Sequence, residues 1–216
     1  MAVVAKRSSM TYFSDGTDHY SHRVRIVLAE KGVTADIIEV DPENLPEEVL
    51  EVNPYGSLPV LLDRELGLYE THVMMEYLDE RFPHPPLLPV YPVARAESRQ
   101  FMYRIENDWC QLVKAITSGK NKDAAEQAKK DLRDGLVTIA PIFAEKPYFM
   151  SEEFSLVDCC LAPILWRLDT FGISIPRTRQ TQALLDYMDR LFARESFKES
   201  LSEAELDMHS SYFSKA

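Results

Sequence analysis

The 216 residues contain no apolar run near the roughly 18 that a membrane helix needs. That excludes a membrane-spanning helix, and no membrane partner is expected. Residues 1–7, MAVVAKR, lack the apolar core of a signal peptide, so a cytoplasmic location is expected. Cysteine is scarce: only Cys110, Cys159 and Cys160 occur, none at CxxC or His-x-x-Cys spacing. Cys159 and Cys160 are neighbours on a predicted helix and point about 100° apart, so they do not join readily. They read as small buried hydrophobes in a reducing compartment, and no metal site is expected. There is no P-loop, no dinucleotide-binding glycine pattern and no Ser-His-Asp order. His19, His22 and His72 have no neighbour at ligand spacing and are assigned no role. Basic residues are in deficit, 24 Lys and Arg against 35 Asp and Glu, for a net charge of −11. Direct nucleic-acid contact, which needs clustered Lys and Arg, is therefore not expected to dominate. The acidic balance favours solubility and basic partners.

The length suits one large or two modest domains. Apolar content of 45% with 27% charged residues is ordinary for a soluble globular protein. The first half alternates strands and helices. Residues 8–13, SSMTYF, read as a strand, and Ser14-Asp15-Gly16-Thr17-Asp18 as a loop. A helix follows from about Ser21, with Val24, Val27 and Leu28 on one face. Lys31-Gly32 stops it, a cation in the last turn and a glycine just past it. Residues 35–40 form a second strand, Asp41-Pro42 turns it, and residues 46–52 make a short helix.

Residues 53–86 carry the densest signals. Pro59 has no N–H, so it belongs at a strand start or edge and leaves the Leu58 backbone free to pair elsewhere. Val60-Leu61-Leu62 is apolar enough for a buried strand. Residues 63–67 reverse the chain into a second short strand. Glu70-Thr71 then opens a helix to Arg81, with Thr71 as N-cap and Val73, Met74, Tyr77 and Leu78 on one face. The order is β-α-β-α-β-β-α, that of a thioredoxin-like domain, predicted over 1–82.

Residues 83–92, PHPPLLPVYP, hold five prolines and cannot be helix or central strand. They read as a linker to an all-helical domain over 93–216. As a rigid connector the segment only fixes a domain angle. As a pre-ordered, aromatic-flanked segment it suits protein recognition, because prolines lose little entropy when immobilised. Beyond it, Phe101, Ile105, Trp109, Leu112 and Ile116 recur at four, four, three and four residues, one face of a long helix over 93–116. Ala128, Leu132, Leu136, Ile139 and Phe143 do the same over 123–144. Ser155 and Asp158 form a capping box, with Phe154 as a hydrophobic staple. Residues 180–193 and 197–208 read as the last helices.

The layout of residues 53–86 resembles the glutathione transferase superfamily. There a Val/Leu-Pro pair, its proline cis, presents its backbone to the cysteine of glutathione, and a Glu/Gln-Ser pair at the next helix N-terminus holds the γ-glutamyl group. Leu58-Pro59 and Glu70-Thr71 stand at those places. A helix N-terminus, with free N–H groups and a positive dipole end, suits a carboxylate. The same turn and capped helix also serve to build the sheet with no ligand at all. The Ser155-x-x-Asp158 signal matches the second domain of that superfamily. The expected fold is therefore that of a glutathione transferase, an α/β thioredoxin-like domain followed by an all-α domain.

Three longer blocks are similar to the bacterial stringent starvation protein A family: YSHRVRIVLAEKG, MEYLDERFPHPPLLPVYPVAR and PYFMSEEFSLVDCCLAPILWRL. The resemblance implies a non-enzymatic protein without a cofactor. It implies association with RNA polymerase holoenzyme, through the sigma factor, and action on transcription in stress, starvation, stationary phase and acid tolerance. It implies a homodimer, or a heterodimer with a paralogue, in which the 71–81 helix meets the 93–116 helix of the other copy. Its functional surface falls on Pro83, His84 and Pro85, flanked by Phe82, Pro86 and Tyr91.

A transferase must hold the thiol of glutathione as thiolate, using a Tyr or Ser hydroxyl, or a Cys, at the end of strand one or the start of helix one. Counting back from Arg23-Val24-Arg25 puts that place on Asp18, whose charge would repel a thiolate. Counting forward from the strand leaves Tyr12, Ser14 or Thr17 in reach. The second hypothesis is accordingly a glutathione-dependent transferase or reductase that binds through Leu58, Pro59, Glu70 and Thr71 and activates through Tyr12 or Ser14.

Overall fold

The computed structural model describes residues 10–209. The chain elements run β1 (Met10–Ser14), α1 (His19–Glu30), β2 (Asp36–Glu39), α2 (Glu47–Val52), β3 (Val60–Asp63), β4 (Leu66–Tyr69) and α3 (Thr71–Arg81). The sheet order is β2-β1-β3-β4, with β1 parallel to β2 and antiparallel to β3. Tyr12 stands opposite both Ile37 and Leu61, so β1 is an interior strand. This is the thioredoxin-like order expected. Ser8 and Ser9, read as part of the first strand, lie outside the described residues.

Phe13, Val40, Val49 and Val60 form a core cluster, with Leu45, Val52, Leu58 and Leu62 packed against it. Helices α1 and α3 pack side by side. Val24, Val27 and Leu28 of α1 are buried as expected, and so are Met74 and Leu78 of α3, but the buried faces hold other residues as well. In α3 the buried residues are Thr71, Met74, Met75, Leu78 and Asp79, while Val73 is 49% exposed. Nine of the twelve residues of α1 are buried, among them His22, Arg23 and Arg25, so polar groups had to be accommodated inside. Helix α1 also begins at His19 rather than Ser21, because the Asp18 side chain accepts from the Ser21 N–H at 2.9 Å and caps it.

The helical elements are α4 (Pro92–Arg104), a π-helical turn (Ile105–Cys110), α5 (Gln111–Thr117), α6 (Lys122–Ile139), a 3₁₀ turn (Ala140–Ala144), α7 (Leu156–Trp166) and α8 (Gln182–Phe192). Two short helices follow, α9 (Glu195–Ser200) and α10 (Glu203–Asp207), where one helix over 197–208 was expected. Ser202 breaks the run by starting a new capping box with Glu205. The predicted 93–116 helix is three pieces. Its buried residues are Ser98, Met102, Ile105, Cys110 and Val113. Ile105 is buried as the predicted stripe expects; past it the wide π turn inserts a five-residue step, so that Cys110 and Val113 rather than Trp109 and Leu112 are buried.

Helix α7 is the centre of the helical part: all eleven of its residues are buried. The Ser155/Asp158 capping box starts it, as expected. Asp158 does more than cap. It accepts from the Ser155 N–H at 2.8 Å, the Phe149 N–H at 2.9 Å and the Tyr187 hydroxyl at 2.7 Å. The chain packs as two compact units among the described residues. One ends at Pro85 and takes up the chain again from Glu199; the other is Pro86–Lys198. No helix among the described residues is long and apolar enough to cross a membrane.

Candidate functional site

In the first unit, the Leu58–Pro59 bond is cis and leads into β3, which starts at Val60. Leu58 thus lies outside the strand, half-buried, with Pro59 buried beside it. Thr71 is not the N-cap of α3. Glu70 takes that position: its carbonyl accepts the first helical bond, from the Met74 N–H at 3.1 Å, and its side chain faces the His72 N–H at 3.5 Å. Glu70 does so at φ 75°, a conformation that strains a non-glycine residue by about 1–3 kcal/mol. Thr71 becomes the first helical residue, and its hydroxyl oxygen is buried without a hydrogen-bond partner.

The residues considered for holding a thiolate are all engaged elsewhere. Asp18 caps α1, and its carboxylate lies 3.3 Å from His19 Nδ1. Burial pushes its carboxyl up, but His19 and the helix N–H groups outweigh that and hold it below the ordinary range. Tyr12 is fully buried and donates its hydroxyl proton to the Ser21 carbonyl at 2.9 Å. Burial drives its pKa well above 10. The Ser14 hydroxyl is buried; it accepts from Arg25 Nη1 and donates to the Asp15 carbonyl at 3.3 Å. Thr17 is exposed and donates to Asp15 Oδ1 at 2.8 Å. A hydroxyl has one proton to give, and in Tyr12, Ser14 and Thr17 each is already given to an oxygen of the protein.

What holds this loop had no sequence signal. Arg25 Nη2 donates to both carboxylate oxygens of Glu205 at 2.6 Å, and its Nε to the Ser200 carbonyl at 2.9 Å. His22, assigned no role, meets the Ser200 hydroxyl at 2.9 Å and lies 3.5 Å from Glu205. Ser202 donates to the Gly16 carbonyl. The final described helix is thereby fastened to the β1–α1 loop.

The Pro-His-Pro segment follows α3. Pro83, His84 and Pro85 are exposed and Phe82 is half-buried, with the Arg81 guanidinium 5.3 Å from its ring centre. The His84–Pro85 bond is cis. In the other unit, Pro86 is exposed and Tyr91, 78% exposed, is the N-cap residue of α4. Leu87 and Leu88 between them are buried, and the Leu87 carbonyl accepts from the Leu156 N–H at 2.8 Å. The second unit also has a cavity of about 260 Å³ lined by Phe101, Ile105, Trp109, Ile139, Ile142 and Phe149, which the predicted apolar stripe partly anticipated. Cys110, Cys159 and Cys160 are buried and not disulfide-bonded. Among the described residues no cluster of His, Cys, Asp or Glu could hold a metal.

Residues 19–81 match the glutathione S-transferase N-terminal domain, and residues 98–195 the C-terminal domain. The chain is 54% identical to a stringent starvation protein A homolog of Pasteurella multocida, over 91% of this chain and 92% of that one. It is 53% identical to the Coxiella burnetii homolog, over 94% and 96%. Among solved structures, a Tau class glutathione S-transferase from mango superposes with a TM-score of 0.79 at 22% identity, covering 96% of this chain and 98% of that one. The glutathione transferase Omega 3C of Trametes versicolor gives 0.77 at 26%, covering 90% of each. The chain belongs to the stringent starvation protein A family and is built on the glutathione S-transferase fold.

Proposed function

We propose that this protein is a non-enzymatic regulator of transcription that binds RNA polymerase holoenzyme in stress, starvation and stationary phase. Its contact is the surface of Pro83, His84 and Pro85, which Phe82, Pro86 and Tyr91 flank in the sequence. The observation that carries this reading is the exposure of Pro83, His84 and Pro85 in a close relative of the stringent starvation proteins. The net charge of −11 supports a protein partner over a nucleic acid. The engagement of Tyr12, Ser14 and Thr17, with a carboxylate at Asp18, supports the absence of transferase chemistry. The sigma factor is the subunit proposed for contact, and the cytoplasm the place.

The proposed working form is a dimer, of identical copies or with a paralogue, with α3 of one copy against the α4-to-α5 run of the other. Val93 and Tyr103, 73% and 67% exposed on α4, are large apolar side chains such a contact would cover. Sedimentation of the protein alone at micromolar concentration tests this, and a monomer counts against it.

One observation favours a ligand at the positions where the superfamily binds glutathione. The buried, unpartnered Thr71 hydroxyl at the N-terminus of α3 would be satisfied by a carboxylate placed there. The second reading is accordingly a glutathione-dependent transferase or reductase. Two assays separate the readings. Sedimentation with polymerase holoenzyme, and with polymerase lacking sigma, is expected to show a complex with the first. Conjugation of a chlorinated aromatic substrate to glutathione is expected to be absent. Conjugation without polymerase binding would reverse the assignment.

A further inference from the structure

Lys31 ends α1, where a cation ordinarily faces water and the helix dipole. Here its side chain is fully buried, and its ammonium donates to Asp79 Oδ1 at 2.6 Å. Asp79 is itself buried on α3. The same ammonium also donates to the Pro85 carbonyl. We propose that Lys31 and Asp79 are positioning residues for the Pro-His-Pro surface, and that their pair holds the Pro85 carbonyl so that Pro83 and His84 are presented to a protein partner in one conformation. The inference rests on the reading that this surface contacts the polymerase.

The segment cannot be held by most of its own donors. Pro83 and Pro85 have no N–H, and all three residues lie in solvent. It is fixed instead at its two ends. At one, the Phe82 N–H caps α3 by donating to the Leu78 carbonyl at 3.0 Å. At the other, Lys31 takes the Pro85 carbonyl. His84 lies between these two fixed ends.

A buried ion pair is a poor choice for joining α1 to α3. Two apolar side chains of similar volume join helices as well or better, without desolvating two charges. What an apolar pair cannot do is donate to a carbonyl on an exposed loop. A partner that binds the segment then meets a shape already ordered, and less of its binding energy goes into ordering it.

The test is the paired variant Lys31→Met/Asp79→Leu, which removes both charges and leaves neither buried alone. Three quantities are read: the unfolding midpoint, the ¹³C-labelled ring signal of His84 (assigned with His84→Gln) and the dissociation constant for polymerase holoenzyme. The expected result is a midpoint close to wild type, a His84 signal shifted or broadened, and polymerase binding weakened at least about tenfold. Should the pair lose the wild-type midpoint, Lys31→Gln/Asp79→Asn, which keeps a neutral hydrogen-bonding pair and shortens the donor away from Pro85, is read in the same way. A folded variant with wild-type affinity overturns the positioning role, whatever its ring signal. The Pro83/His84/Pro85→Ala variant is run beside it. Loss of binding there, with wild-type binding by the paired variant, keeps the polymerase surface and discards the tether. Wild-type binding by the alanine variant discards both.

Discussion

Glu205→Ala tests the fastening of α10 to α1 and the β1–α1 loop. The substitution removes both acceptors of Arg25 Nη2, each at 2.6 Å, and leaves a guanidinium buried without its counter-charge. Breaking a buried pair from one side costs about 3–5 kcal/mol. It also removes the capping box of α10, in which Glu205 accepts from the Ser202 N–H at 3.0 Å, a contribution of about 0.5–2 kcal/mol. Arg25 keeps the Ser200 and Asp15 carbonyls, at 2.9 and 3.1 Å, so the total falls at about 3–5 kcal/mol rather than their sum. The choice of probe matters. Trp109 and Trp166 both belong to the Pro86–Lys198 unit, so their fluorescence is a poor reporter of the loss. Hydrogen exchange of α1 and of the β1–α1 loop, with urea unfolding followed by circular dichroism, reads it directly. Arg25→Met/Glu205→Leu, which removes both charges, is expected to recover most of the stability. A Glu205→Ala loss below about 1 kcal/mol, the range of an exposed pair, would refute a buried anchor.

Asp158→Ala is expected to cost at least about 3 kcal/mol, because the Tyr187 hydroxyl and the Phe149 N–H each lose a buried acceptor along with the cap; tryptophan fluorescence during urea unfolding reports it. Burial holds the Asp158 carboxyl above its ordinary 3.8, despite the donors around it. The folded protein therefore keeps a proton that the unfolded chain has released, and stability falls as pH rises from 3.8 through the folded value. The wild-type midpoint relative to Asp158→Asn should fall across that window, and a rise would contradict it. Gly67→Ala puts a Cβ 2.8 Å from Val52 Cγ1, an overpacking worth about 1–3 kcal/mol that Val52→Ala should relieve. Tyr12→Phe removes the donor to the Ser21 carbonyl and should cost about 0.5–1.5 kcal/mol in stability, with glutathione conjugation absent before and after.

Local chemistry was legible in the sequence and distant pairing was not. Ser155 and Asp158 stand three residues apart, so their box could be read and is present. The prolyl turn before Val60 and the reversal after Asp63 were equally local. At α3 both Glu70 and Thr71 can cap, and only the φ of 75° at Glu70 decided between them. Asp18 caps Ser21 three residues on, a local signal masked by apolar periodicity that starts later, at Val24. The Arg25–Glu205 pair spans 180 residues, and no spacing rule reaches that far. Lys31 read as an ordinary last-turn cation, since its true partner depends on α1 lying beside α3. Past Ile105 the π turn moves the buried positions on by one residue, to Cys110 and Val113, and the apolar spacing of the sequence carries no sign of it.

The central claim is that Pro83, His84 and Pro85 form the surface through which this protein reaches RNA polymerase. It is tested most directly by titrating purified holoenzyme with the wild-type protein and with a Pro83/His84/Pro85→Ala variant whose unfolding midpoint matches wild type. Saturable binding by the wild type that the variant loses is the predicted result. Equal binding by both contradicts the assignment of the surface, and no binding by the wild type contradicts the regulator itself.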